Sequence, residues 1–246
     1  MKKRKAGIVI FVIVLIITAV RIKSMDSHRI SGRILAENIA GPGMLRLVEQ
    51  SMQARARKTS VTEIAVKERK HPQAALTFDD GPDIRYTPLL LDGLKERNVR
   101  VSFFLLGEKV EQYPELVERM QKEGHLVGNH TYHHVQLNKL NETKAREEIL
   151  KTNNLIYETT GVYPLYLRPP FGAWKKNLEL CVEMLPVFWT IDTLDWKVQN
   201  TEKIVRTVQE QIEDGAIILM HDEYDTSVEA ALQVVDELKN QEYELV

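Results

Sequence analysis

The chain has 246 residues, 43% of them hydrophobic and 28% charged, the balance of a globular protein with a core rather than of a disordered or collagen-like one. Its single cysteine, Cys181, excludes an intramolecular disulfide framework and a cysteine-built zinc ribbon, so any metal must be held by His and carboxylates. The net charge of −2 is unevenly spread: residues 1–71 carry 15 Lys and Arg against 5 Asp and Glu, the remainder 18 against 30, and so acidic a remainder argues against nucleic acid as a partner.

Lys2-Lys3-Arg4-Lys5 precedes an uncharged run from Ala6 to Val20. That run has the length of a signal-peptide core and falls short of the roughly 20 apolar residues of a spanning helix. The end of the run and the residues after it, Thr18-Ala19-Val20-Arg21-Ile22-Lys23, offer no small-x-small cleavage site, and flanking basic side chains can snorkel to lengthen a short span. Residues 1–23 therefore read as an uncleaved signal-anchor, with secretion after cleavage as the alternative. Arg21, Lys23, Arg29 and Arg33 after the run nearly balance the four basic residues before it, and the higher density before it favours an N-terminus inside. Residues 24–71, broken by Gly41-Pro42-Gly43 and rich in Arg and Lys, read as a basic juxtamembrane linker. Nothing in the sequence points to a protein partner.

From residue 72 onwards short apolar runs alternate with helical patterns. Strands are expected at Ala74–Phe78, Val101–Leu106, Leu126–Gly128, Leu165–Leu167, Val187–Ile191, Ala216–Met220 and Tyr243–Val246. Helices are expected at Pro88–Arg97, Pro114–Lys122, Glu142–Thr159, Lys176–Met184, Glu202–Glu213 and Ser227–Asn240. Such alternation implies an α/β fold of parallel strands with right-handed crossovers. Chemically capable residues fall just after five different strands, which favours a barrel of about seven strands, where all C-terminal ends share one mouth, over an open sheet.

The first of these segments, Thr77-Phe78-Asp79-Asp80-Gly81-Pro82, sets two adjacent carboxylates at a strand end. On extended backbone their side chains diverge, so one can serve as a ligand and the other as a base. His130-Thr131-Tyr132-His133-His134 places His130 and His134 four apart, on one face of a helix, where both can ligate one cation; His130 with His133 is a second pairing. A carboxylate with two histidines leaves coordination positions open for water. Arg168-Pro169-Pro170-Phe171-Gly172 is a stiff turn after a strand, Asp192-Thr193-Leu194-Asp195-Trp196 sets two acids beside an aromatic, and Leu219-Met220-His221 ends an apolar strand on an imidazole.

In this order, Thr77-Phe78-Asp79-Asp80-Gly81, His130-x-x-x-His134, Arg168-Pro169-Pro170-Phe171-Gly172, Asp192-x-x-Asp195-Trp196 and Leu219-x-His221 resemble the five motifs of the NodB-homology polysaccharide deacetylase family, over residues 72–246. The resemblance implies a distorted (β/α) barrel holding a divalent metal, zinc by preference with cobalt or another divalent ion as substitutes. The implied reaction removes N-acetyl groups from N-acetylglucosamine residues of a cell-wall or extracellular polysaccharide such as peptidoglycan or chitin. By the same resemblance Asp80, His130 and His134 hold the metal and Asp79 is the general base. Arg168 positions Asp79, and the backbone N–H of Phe171 helps to stabilise the oxyanion. His221 then protonates the leaving amine, with Asp195, or alternatively Asp192, as its partner.

Trp196 and Leu219 would wall a pocket for the acetyl methyl, and Trp174 would stack on a sugar ring or cap the barrel. Phe171 stands where members of the family commonly carry Tyr. An extracellular polymer as substrate puts residues 72–246 on the extracytoplasmic side of the cell membrane. Two further functions fit the same barrel: an O-acetyl esterase on a polymer such as xylan, and a non-catalytic glycan-binding protein, the latter disfavoured because Asp79, Asp80, His130 and His134 are all present.

Overall fold

The first strand, β1 (Gln73–Asp79), carries the apolar residues Ala74–Leu76 and Phe78 and is buried on both faces over most of its length, as a central strand of a parallel sheet must be. In the computed structural model, which describes residues 70–174 and 184–246, seven more strands join it: β2 (Ser102–Leu105), β3 (Leu126–Asn129), β4 (Tyr166–Leu167), β5 (Leu185–Pro186), β6 (Ile191–Asp192), β7 (Ala216–His221) and β8 (Glu244–Leu245). Every ladder among the described residues is parallel, in the order β5-β4-β3-β2-β1-β7-β6, with β8 against the first two residues of β1. The expected signal-anchor and most of the linker lie outside the described residues, as do Cys181 and nearly all of the expected helix Lys176–Met184. No helix among the described residues is long and apolar enough to cross a membrane.

The sheet curls, and chain length alone requires it. β5 and β6 stand at opposite edges yet are joined by only Val187–Thr190. Five Cα steps span at most about 18 Å, whereas six strand spacings laid flat would separate the edges by about 29 Å. No ladder joins β5 to β6 among the described residues, so the expected barrel is a curled half-barrel with a seam. Of the expected strand Val187–Ile191 only Ile191 lies in a strand, and Val187–Thr190 form the connection across this seam. Leu185 and Pro186 pair with β4, whereas Ile191 and Asp192 pair with β7. Hydrophobic patterning shows that a run is strand-like, not that it changes partners midway.

Among the described residues seven helices cover the outside: α1 (Tyr86–Glu96), α2 (Gly107–Gln112), α3 (Pro114–Lys122), α4 (Glu142–Thr160), α5 (Asp195–Val198), α6 (Thr201–Gln211) and α7 (Asp225–Asn240). The side chains of Asn141 and Asn200 cap α4 and α6 by accepting from the N–H groups of Lys144 and Lys203. Gly161, at φ 74°, closes α4 in the left-handed conformation that glycine adopts without penalty. The main core lies between β1, β2, β7 and helices α1 and α7, with Phe78 stacked on Phe103 at 5.4 Å. A smaller cluster of Leu137, Ala145, Ile149 and Leu167 underlies the loop that follows β3.

Candidate active site and metal centre

The polar residues singled out by the sequence meet at the C-terminal ends of the strands. Parallel register sets Asp79 at the end of β1 directly opposite His221 at the end of β7. Asn129, the last residue of β3, pairs with Leu167 of β4, so His130 and Arg168 emerge side by side. Arg168 is completely buried. Its Nη1 donates to Thr77 Oγ1 at 2.7 Å and to Asp79 Oδ1 at 2.8 Å, and its guanidinium lies 4.2 Å over the Phe104 ring. Burial pushes the Asp79 carboxyl up to about 6, against the opposing pull of Arg168, His221 and His134.

Asp80 adopts a left-handed φ of 69°, and this changes the expected divergence of the two carboxylates. Alternation of side chains holds only along extended backbone. Here both acids reach one imidazole: His130 Nε2 lies 3.4 Å from Asp80 Oδ1 and 3.7 Å from Asp79 Oδ2. His134 Nε2 approaches the same Asp80 oxygen at 3.4 Å. The two histidines are not on a helix. They sit in a loop in which Thr131 and His134 both have positive φ, 67° and 54°, and their rings tilt together at 5.1 Å. His133 faces away and is half-exposed, its Nδ1 donating to Glu148 at 2.7 Å.

This trio fits a divalent cation. A tetrahedral ion with ligands at about 2.0–2.1 Å holds its donor atoms about 3.3 Å apart, close to the two 3.4 Å separations seen here. Asp80 Oδ1 is buried without a hydrogen-bond partner. His130 Nδ1 lies 2.7 Å from the Arg168 carbonyl, which can only accept, so the proton sits on Nδ1 and the Nε2 lone pair faces Asp80. Burial holds the His130 pKa down to about 3, keeping the ring neutral. Asp80, His130 and His134 are the group among the described residues whose donor atoms converge in this way.

On the other side of Asp80, His221 Nε2 lies 3.8 Å from Asp80 Oδ2. Asp195, fully buried at the start of α5, settles which acid partners it: Oδ1 lies 2.8 Å from His221 Nδ1 and Oδ2 accepts from the His221 backbone N–H. Asp192 instead accepts from Leu194 N within its own turn. Burial favours neutral His221, but the Asp195 carboxylate outweighs it and the imidazole is pushed up to about 9. The same contacts hold the Asp195 carboxyl below its usual range despite its burial.

Phe171 lies at φ 59°, mostly exposed, with its ring 4.5 Å from His134. Trp196 is half-exposed beside Asp195, and Leu219, buried, shares the strand face of His221 two residues on. Trp174 packs partly buried against the Leu137, Ala145, Ile149 and Leu167 cluster.

A family model described as polysaccharide deacetylase matches residues 66–188. The chain belongs to the polysaccharide deacetylase family. Among curated polysaccharide deacetylase relatives, the peptidoglycan-N-acetylglucosamine deacetylase PgdA of Listeria monocytogenes is 41% identical over 73% of this chain and 39% of its own length. A peptidoglycan-N-acetylglucosamine deacetylase of Bacillus cereus is 41% identical over 68% of this chain and 63% of its own. The chain thus spans less than two thirds of the length of these relatives. The solved structure of the peptidoglycan deacetylase PdaC from Bacillus subtilis superposes with a TM-score of 0.70 at 40% identity, covering 72% of this chain and 88% of that one.

Two polar groups beside the site had been given no role from the sequence. Asp222, the residue after His221, is buried and accepts from the Thr87 hydroxyl, and burial pushes it up to about 7. A Cβ at Gly81 would run into its carboxylate, which accounts for a glycine directly after Asp80. Glu148, on α4, accepts from the loop that carries the two histidines.

Proposed function

We propose that this protein is a metal-dependent hydrolase that removes N-acetyl groups from N-acetylglucosamine residues of peptidoglycan or a similar polysaccharide. The observation that carries this reading is the convergence of the Asp79–Arg168 pair, the Asp80, His130 and His134 trio and the Asp195–His221 pair on one end of the sheet. A bound divalent ion, with zinc the proposed occupant, would polarise the acetyl carbonyl and lower the pKa of a water beside it.

The chain's own groups supply the remainder. Asp79 takes the proton of the attacking water at its carboxylate, and Arg168 fixes the orientation of that carboxylate. The backbone N–H of Phe171 donates to the developing oxyanion. His221, kept protonated by Asp195, delivers its proton to the departing amine. Trp196 and Leu219 border the acetyl methyl. Trp174 is assigned to capping the end of the sheet, in keeping with its packing against the smaller cluster.

A second substrate has a specific argument, since the name of the Bacillus subtilis relative PdaC, 41% identical over 70% of this chain, specifies N-acetylmuramic acid. The deciding experiment measures acetate released from N-acetylglucosamine oligomers and from peptidoglycan, after chelation and after restoring zinc, with mass spectrometry of the digested glycan to locate the free amine. Release that returns with zinc, on glucosamine, is the expected result. Free amine confined to muramic acid would establish the second substrate, and no release with metal bound would overturn the deacetylase reading. The Asp79→Asn variant should bind zinc and release no acetate.

The apolar run and basic flanks of residues 1–23 support a single-pass anchor, residues 24–71 a linker, and residues 72–246 the extracytoplasmic catalytic domain. Protease accessibility on intact and lysed cells tests this arrangement, and release into the medium would indicate secretion instead.

A further inference from the structure

The loop that presents His130 and His134 is built from strained backbone. Thr131 and His134 are both non-glycine residues at positive φ, a conformation that persists only where the surroundings over-determine it. Two of its restraints are local and two come from α2. Asn129 Oδ1 accepts from Thr131 N at 2.7 Å, and Thr131 Oγ1 accepts from Val135 N at 3.2 Å. The carbonyls of Thr131 and Tyr132 accept from Gly107 and Glu108 at the start of α2.

The N–H groups of the two residues between the left-handed pair are held from α4. Glu148 Oε2 accepts from the backbone N–H of both Tyr132, at 3.0 Å, and His133, at 2.9 Å, while Oε1 accepts from His133 Nδ1 at 2.7 Å. Only 16% of the Glu148 side chain is exposed. Its helix is fixed from beneath by neighbouring Ile149, which is buried in the smaller apolar cluster and whose carbonyl accepts from Asn129 Nδ2. One side-chain oxygen gathering two successive N–H groups ties both residues to α4 at once.

We infer that Glu148 is a positioning residue for the metal centre. By gathering the N–H groups of Tyr132 and His133 it fixes the turn that swings His134 Nε2 to 3.4 Å from Asp80 Oδ1. The inference rests on the ligand set proposed above. Asp80 and His130 follow directly from strand ends and keep their places without Glu148, whereas His134 lies four residues along the loop and depends on the turn. Loss of the carboxylate orphans two adjacent N–H groups and lets the middle of the loop relax towards commoner backbone angles, so metal affinity falls while the sheet stays folded.

The test uses the full chain, stripped of metal and titrated with Zn²⁺ against a chromophoric chelator. The visible spectrum of the Co²⁺ form reports coordination geometry, and the melting temperature of the metal-free form reports folding. Glu148→Ala, and Glu148→Asp, which is one methylene too short to reach both N–H groups, should each weaken zinc binding by about 10- to 100-fold and change the Co²⁺ spectrum. Glu148→Gln keeps an acceptor oxygen at the same reach and should stay within a few-fold of the parent. His133→Ala, which removes only the ring partner, should behave like Gln.

Parental affinity and spectrum in Glu148→Asp would overturn the inference, as would weakening in Ala that tracks an equal weakening in Gln. If Glu148→Ala fails to fold, the comparison of Asp with Gln decides. His134→Ala separates the two levels of the argument. If it binds zinc like the parent, the ligand set itself is wrong; if it loses zinc while the Glu148 variants keep it, only the positioning role fails.

Discussion

Asp195 and His221 sit close enough, at 2.8 Å, for one charge to set the other. With its pKa pushed up to about 9, His221 carries a proton at neutral pH, the state that the proposed donation to a leaving amine requires. Because this pKa is raised above the ordinary 6.5, the stabilisation from the pair is fully present below about pH 6.5 and is lost as pH rises through 9. Replacing Asp195 by Asn should therefore lower the His221 titration midpoint, followed by imidazole NMR resonances in the metal-free protein, and flatten the loss of stability between pH 7 and 9. An unmoved midpoint would remove Asp195 as the partner. The choice between Asp192 and Asp195 could not be made from spacing, since both follow the same strand. The structure decides it by the local turn that engages Asp192 with Leu194 and by the helix start that buries Asp195.

Among elements, the junction of β3 with the loop beyond it shows what sequence could and could not convey. Spacing offered His130 with either His134 or His133, and it suggested a helix, because four residues in a helix and four in a doubly left-handed loop produce the same separation in sequence. The loop conformation is imposed by tertiary partners, chiefly Asn129, α2 and α4. Asn129 is completely buried and uses its whole amide: Nδ2 donates to Ile149 O and Asn153 Oδ1, and Oδ1 accepts from Thr131 N. Truncation to Ala would strand several of these groups without water to replace the lost bonds. Asn129→Ala should destabilise the metal-free protein by about 3 kcal/mol, read from the urea midpoint. A loss below about 1 kcal/mol would mean that the loop and α4 are coupled by other contacts.

Considered as a whole molecule, the site is assembled around a curled sheet from segments that follow β1, β3, β4 and β7, with α5 adding Asp195. The positions of these residues at strand ends were legible because parallel α/β topology sends every strand end to one face. The seam was not, since patterning cannot say that the run around Val187–Ile191 leaves β4 and joins β7. Asp80 leaves from β1 and His130 from β3, with β2 between them, so a cation shared by the pair would tie together two strands that do not touch. Such an ion binds the folded chain and has no preformed site in the unfolded one. At a free concentration of 100 times its Kd, zinc should add about 2.7 kcal/mol of stability. For a folded unit of this size, that raises the melting temperature by about 5–10 °C. The increment should disappear on chelation, return when zinc is restored and be absent from His134→Ala. Equal melting temperatures for the stripped and zinc-loaded parent chain would show that the two strand ends are not bridged, and the ligand assignment would fall with it.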